Sequence, residues 1–142
     1  MPENRAKGVD WPSAQAPTLA ELEAIAEAAF ARLPRRFRDL CKDVVIRVED
    51  FPTDEVLDSL GAQSPFDLLG LYQGVHLARQ SVMDTTALPE LVFLYRRPIL
   101  DYWAEHEETL GQIVTHVLVH EIGHHFGLSD ADIHRIEEEA AA

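Results

Sequence analysis

The chain has little sulfur to work with. A single cysteine, Cys41, and two methionines, Met1 and Met83, stand among its 142 residues. One cysteine excludes an internal disulfide and fits a reducing compartment. With Phe37, Leu40 and Val44 around it, Cys41 is expected to be a buried structural thiol rather than a metal ligand. Basic residues are scarce too: 12 Lys and Arg face 25 Asp and Glu, for a net charge of −13. That balance excludes a broad surface for nucleic acid or an anionic membrane, since both need clustered cations. Arg35, Arg36 and Arg38 are the one dense basic group and Arg96–Arg97 a smaller one; both are expected to pair with carboxylates. No apolar run is long enough to cross a bilayer. The opening residues, MPENRAKGVDWPSAQAP, lack the apolar stretch of a secretory signal, so a cytoplasmic location is expected.

What is present is an ordinary globular composition, 46% hydrophobic, at a length suited to one domain. Residues 1–17 contain three prolines and little apolar periodicity, and read as a flexible lead-in to a single domain over 18–142. Thr18 with Glu21 forms a capping box, and Leu19, Leu22, Ile25, Ala26, Ala29, Phe30 and Leu33 mark the buried stripe of the helix that follows. Pro34 ends it, and Arg35 to Cys41 can add a short helical turn. Val44 to Val48 reads as a strand. Thr53 can cap a short helix that stops at Gly61. Leu69 to His76 reads as a second strand, whose Gly70 and Gly74 share a face and suggest a bulge or a close backbone approach. Leu91 to Tyr95 is a third strand. Pro98 fits the first position of a helix running through Trp103. Thr109 and Gln112 open a helix reaching about Phe126, Gly127 ends it, and Ser129 caps a last helix from Asp130. Helices intermix with three or four strands, so the class is α+β.

The chemistry concentrates in THVLVHEIGHHFGLSD. Ile113, Val114, Val117, Leu118, Val119 and Ile122 cover most of the helix, which should therefore be central and buried. Placing His120, Glu121, His124 and His125 in such a helix is costly unless they have partners, and a metal ion is one. At about 100° per residue, His120 and His124 lie about 40° apart and one turn along, so their rings project to one point. Glu121 lies on the same side, about 60° from His124. This is His-Glu-x-x-His, in which two histidines bind zinc and the glutamate is the general base. Zinc draws the pKa of its water toward 7, within reach of a carboxylate. A third ligand is required. Gly127 can turn the chain back in the left-handed conformation, and Asp130, six residues past His124, can then return to the metal. Metzincins place a histidine at that offset; here it is an aspartate. Asp132 and His134 are the alternatives. His116 shares the His120 face one turn earlier and is expected beside the metal shell or on the surface. His125, about 140° from His120, is expected to be a satisfied core histidine. Tyr72, Tyr95 and His134 are candidate oxyanion donors.

HEIGHHFGLSDADI closely resembles the bacterial zincin-like metallopeptidase family, small proteins sometimes called mini-zincins. The resemblance extends upstream through LLGLYQGVHL and LPELVFLYRRPIL and covers roughly the C-terminal half of the chain. It implies a minimal zincin-like fold, with a small twisted mixed sheet packed on a central active-site helix and flanking helices. It also implies zinc on His120 and His124, Glu121 as base and Asp130 as third ligand. No methionine follows the motif, so the methionine turn of metzincins is absent. Only 18 residues follow His124, leaving no room for a lower subdomain, so an open site is expected. The function implied is zinc-dependent hydrolysis of short or unfolded peptides, with an exposed sheet edge to receive them and a homodimer as an expected assembly. The alternative is a catalytically silent zincin scaffold that binds partners in a metal-dependent way.

Overall fold

In the computed structural model, residues 8–74 and 90–141 are described. The expected continuation of the second strand through Val75 and His76 lies outside them. An exposed 3-10 turn at Trp11–Ser13 precedes the first helix. Thr18 accepts the Glu21 amide and the Glu21 carboxylate accepts the Thr18 amide, which opens helix α1 (Leu19–Ala31). Leu22, Ala26, Ala29 and the following Leu33 are buried, but Leu19 is 41% exposed. It sits next to the cap, before the helix has descended onto the core. Pro34 starts the short helix α2 (Arg35–Leu40), which buries Phe37.

Strand β1 (Val44–Glu49) alternates, with Ile46 buried and Val45 and Arg47 exposed. Thr53 caps helix α3 (Asp54–Leu60), which Gly61 closes at φ 68°. Strand β2 (Gly70–Gln73) and strand β3 (Glu90–Tyr95) complete a sheet of order β1-β3-β2 among the described residues. β1 runs parallel to β3 and β2 antiparallel to it. Three strands are described, within the expected three to four.

Helix α4 (Arg96–Glu105) follows β3 without a loop, so Pro98 stands at its third position rather than its first. The position still lies in the first turn, where no amide need be donated to the helix. Thr109 and Gln112 form a capping box for helix α5 (Leu110–His125), which buries Leu110, Ile113, Val114, Val117, Leu118, Val119, Ile122 and Gly123. It packs against α1, α4, β2 and β3, and against the last helix, α6 (Asp130–Ala141). Each fully buried side chain such as Leu118 or Ile122 stabilises the fold by about 1.5–3 kcal/mol. α5 is thus the hub expected from its apolar circumference. No helix among the described residues is long and apolar enough to cross a membrane.

Glycine at two positions lets the layers close. A Cβ on Gly70 would stand 2.5 Å from Val117 Cγ1 and 2.9 Å from the Phe93 carbonyl oxygen, so β2 lies directly on α5. This is the close approach that the glycine-bearing strand implied. A Cβ on Gly123 would stand 2.9 Å from Ile133 Cγ1, so α6 lies equally tightly on the other side. Cys41 is buried, and its thiol donates to the Phe37 carbonyl at 3.2 Å. Burial pushes its pKa up to about 11. Arg36 pairs with Glu139 through two hydrogen bonds, and Arg96 with Asp50. Arg97 instead lies over the Phe51 ring at 5.6 Å.

Candidate metal centre

α5 carries His116, His120 and His124 on consecutive turns. The His120 and His124 ring centroids are 4.3 Å apart, and those of His116 and His120 5.3 Å. Beyond α5, Gly127 takes φ 81°, the left-handed conformation that turns the chain back. The return is short. The Leu128 amide donates to the Gly123 carbonyl at 2.9 Å, and Ser129 and Asp132 box the start of α6. These bonds hold Asp130 in the first turn of α6, where the helix dipole favours a carboxylate. Its Oδ1 lies 2.9 Å from His124 Nε2.

The alternatives for the third ligand are engaged elsewhere. Asp132 accepts the Ser129 amide and pairs with Arg135. His134 Nε2 lies 3.1 Å from the Glu138 carboxylate on exposed α6 surface. His116 is exposed, with Nδ1 2.8 Å from Glu137. His125 departs from expectation: it is a surface residue whose ring stacks on Tyr72 at 3.9 Å, with the Glu90 carboxylate 3.9 Å from its Nε2. The last turn of α5 projects past the core there, so the ring lies against Tyr72 of β2 and Glu90 of β3 rather than in the interior.

Glu121 is half-buried on the sheet side of the histidine row, and its Oε1 accepts the Tyr72 amide at 3.3 Å. Just before β2 the Leu69 carbonyl accepts from the Tyr95 amide of β3, so Leu71 and Gln73 turn their main chain to β3, and Gly70 and Tyr72 turn theirs to the edge that has no partner strand among the described residues. Glu121 therefore sits against that edge. The sequence carried no direct sign of this contact; the glycine on either side of Leu71 and Tyr72–Gln73 was the only hint that the strand lies close to α5. Burial raises the Glu121 pKa above the ordinary carboxylate range, opposed by the Tyr72 amide and by His124. Burial also lowers the His120 pKa, with His124 and His116 adding to the effect. Both shifts have a use: a neutral imidazole can ligate, and a carboxylate of raised pKa is a stronger base.

Of the candidate oxyanion donors, Tyr72 donates its hydroxyl to Glu90, and Tyr95 is buried, its pKa pushed up to about 12 by that burial. His134 lines a cleft of about 720 Å³ between α1, α5 and α6 that Glu121 does not touch. A smaller cavity of about 420 Å³ meets His120 and Glu121.

Two imidazoles one turn apart and a carboxylate bonded to the second make an N, N, O donor set of the kind zinc takes. Among the described residues no three His, Cys, Asp or Glu side chains already form a cage for a metal ion. Asp130 is hydrogen-bonded to the nitrogen of His124 rather than set apart from it, so the donors are neighbours that need side-chain rotation to converge. With Asp130 88% exposed, its rotation meets little resistance.

Residues 41–140 match the profile of the zincin-like metallopeptidase family. The chain belongs to that family. The match spans about seven-tenths of the sequence and takes in β1 to β3 as well as the motif helix. No curated protein matches the chain. The α+β arrangement of this zincin-like chain, with three strands among the described residues forming a mixed sheet on α5 and helices around it, is consistent with the small zincin-like fold.

Proposed function

We propose that this chain is a zinc-dependent peptidase that cuts short or unfolded peptides in the cytoplasm. One observation carries the reading most. Glu121 sits against the edge of β2 that has no partner strand among the described residues, beside the row of His120 and His124. His120, His124 and Asp130 would hold the zinc, and their donor chemistry fits it. When bound, zinc would supply a Lewis acid for the scissile carbonyl and raise the acidity of the attacking water.

The chain's own groups supply the rest. An extended peptide adding to β2 would use the edge-facing main chain of Gly70 and the Tyr72 carbonyl, the Tyr72 amide being held by Glu121, because main-chain pairing orients a peptide without a deep pocket. That register lays the peptide across Glu121. Glu121 takes a proton from the attacking water and then delivers it to the leaving amine nitrogen. Burial raises the proton affinity of Glu121, which strengthens it as a base.

Glu121→Gln is the direct test. The variant keeps the volume and the hydrogen bond to Tyr72 but cannot accept a proton. Zinc uptake should match wild type, while cleavage of a broad peptide library falls by a factor of about 10² to 10⁴. Full activity in a zinc-loaded Glu121→Gln protein would end this mechanism. The openness of the site, with His124 and Asp130 both exposed, favours one second reading, a metal-dependent scaffold for partner binding without catalysis. Zinc uptake by wild type with no cleavage across the library at stoichiometric metal would support that reading instead.

A further inference from the structure

The cavity of about 420 Å³ that meets His120 and Glu121 has a second half that the hydrolytic step does not use. Its body is apolar, made by Leu69 from the approach to β2, Tyr102 from α4, and Ile113 and Val117 from α5. Gly70 keeps β2 pressed onto Val117 and sends no side chain into the space. Its volume suits one long side chain rather than a folded surface. Two carboxylates come to it from exposed positions in separate loops. Asp67 ends the 3-10 turn at Pro65–Asp67, and its Oδ2 is fixed by the Gln63 and Ser64 amides. Glu108 lies in the link between α4 and α5. No lysine or arginine among the described residues lines the cavity. His116 also borders it but is balanced by Glu137, 2.8 Å away.

The geometry points to a specificity pocket that takes a lysine or arginine side chain of the substrate, next to the bond being cut. This inference rests on the peptidase reading, since it assigns the substrate class of the same site. The aliphatic stem of such a residue covers the apolar body while its charged end stays at the wet mouth, where Asp67 and Glu108 receive it. A neutral aliphatic residue fills the same body but leaves both carboxylates without a counter-charge. A glutamate brings a like charge to them and is disfavoured.

Matched peptides that differ only in carrying lysine, norleucine or glutamate at one position test this. Their binding to the zinc-free full chain is measured by fluorescence anisotropy, and their cleavage by the zinc-loaded chain is measured separately. Lysine should bind about three- to tenfold more tightly than norleucine, the range expected of one or two exposed charge pairs, and glutamate least. Glu108→Gln should shrink the lysine-to-norleucine ratio, and Glu108→Lys should reverse the order of lysine and glutamate. Norleucine binding as tightly as lysine, a ratio indifferent to both Glu108 variants, or no binding of any peptide would each overturn the pocket assignment. Lysine-selective binding without cleavage would leave the pocket standing and remove the peptidase reading instead.

Discussion

Asp130 and His134 are both acid–base residues within one turn of α6, yet their surroundings separate them. Asp130 shares a hydrogen bond with His124, whereas His134 is turned to Glu138. Zinc affinity should follow that division. Asp130→Ala should weaken zinc binding by at least about tenfold, and His124→Ala should abolish it, while His134→Ala changes little. Competition with a chromophoric chelator gives the three affinities. Equal loss from Asp130→Ala and His134→Ala would mean that α6 supplies its ligand from a different turn.

Cys41 gives a prediction with a definite sign. Its folded pKa, about 11, lies above the ordinary thiol value of 9.0 because the interior disfavours the thiolate. Between those values the folded state holds a proton that the unfolded state has released, so stability falls as pH rises. The contribution is fully present below pH 9 and is lost as pH climbs toward 11. The limiting slope for one proton is about 1.4 kcal/mol per pH unit. Urea unfolding of wild type and Cys41→Val between about pH 8 and about pH 10.5 isolates it, since other alkaline effects are common to both. Parallel curves for the two proteins would show that the thiol is hydrated in the native state.

At the scale of elements, two glycines on α5 make opposite predictions for the same substitution. A Cβ on Gly111 meets nothing within 4 Å, while one on Gly123 meets Ile133 at 2.9 Å. Gly111→Ala should stabilise by up to about 1 kcal/mol through helix propensity alone. Gly123→Ala gains the same propensity but forces α6 outward, an overpacking cost of about 1–3 kcal/mol. Because α6 carries Asp130, the second change should also weaken zinc binding, and the first should not. Thermal unfolding with and without zinc reads both effects. Gly123→Ala with undiminished zinc affinity would detach the metal centre from α6 packing.

What could be read from the sequence at this scale was local. Thr18 with Glu21, Thr53, Thr109 with Gln112, and Ser129 each announce a helix start, and Gly61 and Gly127 each a stop, because caps depend on residues three or four apart. The α+β class followed from the same elements. Long-range relations left no such mark. Nothing in β2 says that it pairs with the later β3 rather than with β1, nor that its Tyr72 amide meets Glu121, 49 residues on. His125 was misplaced for a related reason: a helical wheel gives direction around α5 but not where the core ends along it. The pocket beside Glu121 draws on four separate segments and has no contiguous signature at all.

For the molecule as a whole, the excess of 25 acids over 12 bases sets two responses to salt that should run in opposite directions. A net charge of −13 on one small domain repels itself, and folding brings those charges closer together. Ion pairs such as Arg36–Glu139 and Arg96–Asp50 offset only a few of them. Monovalent salt shortens the screening distance from about 30 Å at 0.01 M to about 3 Å at 1 M. The self-repulsion weakens with it, so the metal-free fold should gain stability, with a midpoint rising by about 2–5 °C, or on the order of 1 kcal/mol. The same screening acts against capture of a cationic peptide, whose attraction to Asp67, Glu108 and the wider acidic surface is also electrostatic. Lysine-peptide affinity should therefore fall several-fold over a series in which the protein becomes harder to melt, while norleucine-peptide affinity stays nearly level. Thermal scans and anisotropy titrations on one salt series separate the two. If stability and lysine-peptide affinity both declined with salt, local ion pairs would outweigh self-repulsion, and the acidity of the chain would be structural rather than a field that gathers basic substrates.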